Sequence, residues 1–122
     1  MNAEKPMVLI CDDDKNVQES LKLILEENYR LEFSSDGLSA VEKLKTLAPQ
    51  AMILDIKMPK LHGLEILKKV KAEKPDLPVL IVTGYQSIEI AQEALKSGAA
   101  DYITKPFDSQ KIKKAVAQIL KK

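Results

Sequence analysis

Tryptophan is absent from this chain, and only three tyrosines and two phenylalanines supply aromatic surface. So few aromatics leave no stacking platform for single-stranded nucleic acid. Charge of one sign is also missing: 19 basic side chains face 18 acidic ones, for a net charge of +1. A polyanionic partner is therefore not expected. One cysteine, Cys11, cannot form an internal disulfide, which fits a reducing compartment. It closes an apolar run and reads as a small core residue rather than a reactive thiol. That run, Met7-Val8-Leu9-Ile10-Cys11, is the longest in the chain, far short of the roughly 20 residues that cross a bilayer. The opening Met1-Asn2-Ala3-Glu4-Lys5-Pro6 is polar and lacks a signal peptide's apolar stretch. No membrane contact and a cytoplasmic location are expected. Repeats, low-complexity stretches and linkers are missing too, so residues 1–122 are expected to form one domain.

What is present is a regular alternation. Hydrophobic residues make up 45% and charged residues 30%, a globular balance. Apolar runs at Met7–Cys11, Ala51–Leu54 and Val79–Val82 predict strands buried on both faces, and Arg30–Ser34 and Asp101–Thr104 predict two weaker ones. Helical stripes fall between them: Val17, Leu21, Ile24 and Leu25; Leu38, Val41 and Leu44; Leu64, Leu67 and Val70; Ile88, Ala91 and Leu95; Ile112, Val116, Ile119 and Leu120. Ile90 lies off the fourth stripe and is expected to be exposed. Lysines 111, 113, 114, 121 and 122 alternate with apolar positions, which predicts a solvated helix face rather than a basic patch. Pro49, Pro75, Pro78 and Pro106 fall between elements, and Gly98 is placed to end the fourth helix in a left-handed cap. The expected fold is α/β, a (βα)5 chain with a five-stranded parallel sheet and helices on both faces. The flavodoxin-like strand order 2-1-3-4-5 is expected by analogy.

In such a sheet, ligands bind beyond the carboxyl ends of the strands. Strand 1 ends in Asp12-Asp13-Asp14, strand 3 in Asp55, strand 4 in Thr83 and strand 5 in Lys105. The expected order makes these strands neighbours, so carboxylates, a hydroxyl and an ammonium converge on one crevice. Clustered carboxylates repel one another unless a cation holds them, and an all-oxygen site with few protein ligands suits Mg²⁺. Asp55 can attack phosphorus as a carboxylate nucleophile and form an acyl phosphate, with Lys105 and Thr83 facing the phosphoryl oxygens. Each residue also has a bland reading. Asp14 fits an N-cap better than a ligand, Thr83 alone is a β-branched strand residue, and Lys105 alone is a surface lysine. Their joint arrival at one edge is what favours chemistry.

Four segments resemble the response-regulator receiver family of two-component signalling: Val8–Asp14, Ile53–Pro59, Val82–Tyr85 and Gly98–Phe107. The resemblance spans about Met7 to Leu120. It implies a phosphoprotein of a phosphorelay, phosphorylated on Asp55 by a histidine kinase or a histidine phosphotransfer protein. It further implies Mg²⁺, with Mn²⁺ able to substitute, held directly by Asp13 and Asp55 and by the Lys57 carbonyl, while Asp12 acts through a metal-bound water. Thr83 and Lys105 would contact the phosphoryl group, and Thr83 and Tyr102 would form a switch. The Lys105–Pro106 bond is expected to be cis. A downstream protein or a second copy would dock on the surface of the fourth helix, fifth strand and fifth helix. Such a chain is no enzyme acting on a separate substrate; it promotes its own phosphorylation and dephosphorylation.

Three positions depart from the common pattern. His62, the lone histidine, stands before Gly63 where Asp is usual, and is expected in an exposed loop. Cys11 replaces an aliphatic, and Gly84 stands where Ala is also common. The strongest rival is a haloacid-dehalogenase-like phosphatase with Asp12 as nucleophile. Asn16 stands where that family carries Thr or Val, and Asp55 would have no role. A pseudo-receiver is disfavoured because every acid, the Thr and the Lys are present. The chain ends with the fifth helix, so either a stand-alone regulator or the receiver of a longer transcriptional regulator is expected.

Overall fold

The computed structural model describes residues 5–57 and 63–121. Met58 and Pro59 of the second matching segment, and His62, lie outside the described residues. Five strands, β1 (Met7–Cys11), β2 (Arg30–Ser34), β3 (Ala51–Leu54), β4 (Val79–Thr83) and β5 (Asp101–Thr104), alternate with five helices. The helices are α1 (Lys15–Leu25), α2 (Gly37–Leu44), α3 (Gly63–Glu73), α4 (Ile88–Lys96) and α5 (Ser109–Leu120). All strand pairs are parallel, in the order β2-β1-β3-β4-β5. Among the described residues, no helix is long and apolar enough to cross a membrane.

The sheet splits the apolar interior in two, because successive strand residues point to opposite faces. Leu9, Cys11, Met52, Leu54, Val79 and Ile81 face the layer of α2, α3 and α4. Val8, Ile10, Ala51, Ile53, Leu80 and Val82 face α1 and α5. The unbroken apolar runs of β1, β3 and β4 follow, since these strands are covered on both sides.

Helix boundaries follow from side-chain caps. Asp14 accepts from the Asn16 N–H, Asp36 from Ser39, Ser87 from Ile90 and Asp108 from Gln110. The fourth helix ends as the sequence suggested. Gly98 has φ +111; its N–H donates to the Leu95 carbonyl at 3.1 Å and the Ala99 N–H to Ala94 at 3.0 Å. That pair of bonds is a Schellman motif. The Lys105–Pro106 bond is cis, and the described lysines of α5 are exposed.

Two predicted stripes are corrected. On α4, Ile88 and Leu95 are exposed, at 74% and 48%, whereas Ile90 packs on the core and Ala94 is fully buried. Both ends of the helix are fixed, by Ser87 and by the Gly98 turn into β5. Small Ala94 then lets the helix lie close, with Ile90 turned inward and Ile88 and Leu95 left outside. On α2, Leu38 is 57% exposed. Leu44 is buried and Val41 packs on the core as expected, but Gly37 and Ala40, not Leu38, complete the inward face. A Cβ at Gly37 would meet Ile66 Cγ1 at 2.4 Å, so close contact with α3 selects that face.

Candidate functional site

The carboxyl ends of β1, β3, β4 and β5 converge on one crevice. Asp12 and Asp55 are buried there, Thr83 is fully buried, and Asp13 is exposed. One carboxylate oxygen from each of Asp12, Asp13 and Asp55 lies within 4.8 Å of the others. Lys105 Nζ donates to Asp12 Oδ2 and to Asp55 Oδ2, each at 2.9 Å. Sheet order makes this possible, because Lys105 is 93 residues from Asp12 along the chain.

Backbone groups fix the acids further. The Asp14 N–H donates to Asp12 Oδ1 at 2.9 Å, and the Lys57 N–H donates to Asp55 Oδ1 at 2.8 Å. Both oxygens of Asp55 are therefore held in place. Gln18 Nε2 donates to the Asp12 carbonyl at 2.6 Å, bracing the end of β1 from α1. The Lys105 N–H bonds the Thr83 carbonyl at 2.8 Å, which sets the lysine beside the hydroxyl-bearing strand.

Two of the three clustered acids share one ammonium, and the electrostatics show the imbalance. Burial pushes the Asp12 carboxyl above the usual range; the Asp14 N–H and Lys105 counter this, while Asp55 adds to it. Burial works against the Lys105 ammonium, but its hydrogen bonds to Asp55 and Asp12 outweigh that and hold its pKa above the ordinary value. Lys105 stays charged, and the acids remain in excess. A hard divalent cation fits such a set, since oxygen donors are close together and their ionised forms lack compensation.

Of the residues singled out in the sequence, Asp12, Asp13, Asp55, Thr83 and Lys105 are brought together. Asp14 is an N-cap and not part of the cluster. Cys11 is buried beneath it; burial, with Asp12 next, pushes its thiol up to about 12. Tyr102 is half-buried, and its hydroxyl donates to the Tyr85 carbonyl at 3.1 Å. Tyr85 was missed by sequence reasoning. Its N–H donates to Thr83 Oγ1 at 3.4 Å, and its ring lies 5.4 Å from Lys57 Nζ. The available signal was an aromatic two residues beyond a strand-ending threonine, in a chain poor in aromatics.

The family model of the response regulator receiver domain matches residues 8–117. The transcriptional regulatory protein ZraR of Klebsiella oxytoca is 38% identical over 121 residues, covering 98% of this chain and 27% of that protein. The response regulator MprA of Mycobacterium ulcerans is 35% identical over 116 residues, covering 94% of this chain and 50% of that protein. The chain thus spans between a quarter and a half of the length of these relatives. Among solved structures, a CheY-like response regulator receiver domain protein from Methanospirillum hungatei superposes with a TM-score of 0.91 at 31% identity. That match covers 96% of this chain and 94% of the other.

Proposed function

The chain belongs to the response regulator receiver domain family, and from that premise we propose that Asp55 accepts a phosphoryl group from a histidine kinase or histidine phosphotransfer protein in a Mg²⁺-dependent reaction. The observation that carries this reading is the fixing of Asp55 at both oxygens, by the Lys57 N–H and by Lys105. Two donors orient the carboxylate without consuming all its lone pairs, which leaves it a nucleophile.

An Asp55 oxygen attacks phosphorus, the phosphorus–nitrogen bond of the phosphohistidine breaks, and the imidazole nitrogen leaves with the bonding pair. The product is an acyl phosphate on Asp55. Lys105 and the Thr83 hydroxyl take phosphoryl oxygens as charge gathers on them. Asp13, Asp55 and the Lys57 carbonyl would hold Mg²⁺ or Mn²⁺, with Asp12 acting through water; the bound ion supplies neutralisation of phosphoryl charge. The same residues serve hydrolysis of the acyl phosphate, so the protein promotes both its own phosphorylation and its own dephosphorylation. The setting is the cytoplasm. Thr83 and Tyr102 pass the change to the surface of α4, β5 and α5, where a downstream protein or a second copy docks.

Intact-mass spectrometry with acetyl phosphate and Mg²⁺ tests the reading. One added phosphoryl group is expected, lost in Asp55→Asn. Catalytic turnover of a phosphomonoester through Asp12, with Asp55→Asn unaffected, would favour the haloacid-dehalogenase-like phosphatase instead.

A further inference from the structure

We propose that the side chain of Lys57 is a second cationic contact for the phosphoryl group, and that its departure from the Tyr85 ring unlatches Tyr85. The inference rests on Asp55 being the phosphoacceptor.

The stem of Lys57 is anchored at Asp55, through the 2.8 Å bond from its N–H to Asp55 Oδ1. Its head is elsewhere: Nζ lies 5.4 Å from the Tyr85 ring centroid, within range of a cation–π contact. The side chain crosses Gly84 on the way, for a Cβ placed there would meet Lys57 Cδ at 3.7 Å and Nζ at 4.0 Å. One flexible stem therefore spans the mouth of the crevice, from the segment after β3 to the segment after β4. Among the described residues the ammonium makes no ion pair, and Lys57 is exposed.

Tyr85 is the point where three contacts meet. Its ring carries the Lys57 ammonium, its N–H donates to Thr83 Oγ1 at 3.4 Å, and its carbonyl accepts the Tyr102 hydroxyl at 3.1 Å. A phosphoryl group on Asp55 raises the local charge and adds acceptor oxygens beside the root of the Lys57 stem. A charge-assisted hydrogen bond to a phosphoryl oxygen outweighs an exposed cation–π contact. Lys57 accordingly turns from the ring to the phosphoryl group. The Thr83 hydroxyl turns the same way, weakening an already long bond from Tyr85. Tyr85 loses two of these three polar and cation–π restraints at once, leaving its bond to Tyr102 and its packing on the core. The lysine thus acts alongside Thr83, from the opposite wall of the crevice.

The Lys57 ε-methylene protons report the event, since the Tyr85 ring current shifts them upfield in the free protein. Beryllofluoride with Mg²⁺ mimics the phosphoryl group without turnover. The expected result is loss of the upfield shift, together with movement of the Tyr85 and Tyr102 ring resonances. In Lys57→Gln, whose backbone contacts persist, the Thr83 amide should still respond while the Tyr85 ring response is lost. In Tyr85→Leu the upfield shift should be missing from the start. If the Thr83 amide responds but the Lys57 protons stay upfield, the latch is overturned and the phosphoacceptor reading stands. If neither responds and intact mass shows no phosphoryl gain, the phosphoacceptor reading fails and the latch falls with it.

Discussion

The Tyr102 hydroxyl donates to the Tyr85 carbonyl across 3.1 Å, tying β5 to the segment that leads into α4. Burial raises the Tyr102 pKa, with Asp55 and then Tyr85 adding to the shift. Tyr102→Phe should lower stability by about 1 kcal/mol, the net worth of one such bond. Phosphoryl uptake by Asp55 should persist in this variant, while the response of α4 amides to beryllofluoride shrinks. Urea unfolding and amide spectra check the two halves separately.

Among the described residues, Lys105 is the sole ammonium bonded to Asp12 and Asp55. Removing one member of a buried ion pair leaves charge without compensation, at a cost of roughly 3 kcal/mol. Lys105→Met should show a loss of that order in EDTA. Saturating Mg²⁺ should restore part of it, because the added cation binds the folded form alone. Equal stability of variant and wild type in EDTA would contradict the arrangement.

The raised pKa of Asp12 gives a signed pH dependence. Its folded form binds a proton more readily than the unfolded chain, so between the two pKa values acidification favours folding at this residue. Above that window the buried carboxylate carries a penalty. Asp12→Asn removes the titration. In EDTA the stability of the variant relative to wild type should therefore be greatest near neutral pH and should fall as the solution becomes acidic. Denaturant titrations across that range measure the difference. A relative stability independent of pH, or one that grows with acid, would contradict the assignment.

Burial raises the Cys11 thiol from the ordinary 9.0 to about 12. Its thiolate fraction is thereby cut about a thousandfold, and the residue has no exposed surface. A thiol reagent should leave the folded protein unmodified over hours and label it at once in urea. Rapid labelling of the folded form would show that the end of β1 opens.

Much of the architecture was legible because the strongest signals are periodic. The runs at Met7–Cys11 and Ala51–Leu54 are strands to the residue, and even the weak candidates Arg30–Ser34 and Asp101–Thr104 hold. The convergence of Asp12, Asp55, Thr83 and Lys105 was legible too, since strand ends share an edge once the order is known. The facing of α2 and α4 was not. Counting large apolar residues favoured Leu38, Ile88 and Leu95, but tertiary contact selected Gly37 and Ala40 on α2 and Ala94 with Ile90 on α4. Gly37 sits against Ile66, and Ala94 is buried. Close approach between elements leaves no hydrophobic signature in the chain. Tyr85 escaped for a related reason, because its contacts run through its backbone carbonyl and the face of its ring.

Among the described residues, the two apolar clusters share none. Substitutions confined to one should combine almost additively with those in the other, since few side chains feel both. Selection can therefore revise the α1 and α5 side without disturbing the packing of α2, α3 and α4. A lineage can change one set of neighbours while keeping the other, with the acidic crevice common to both. The partition of the interior is, in that sense, what makes this scaffold cheap to rewire.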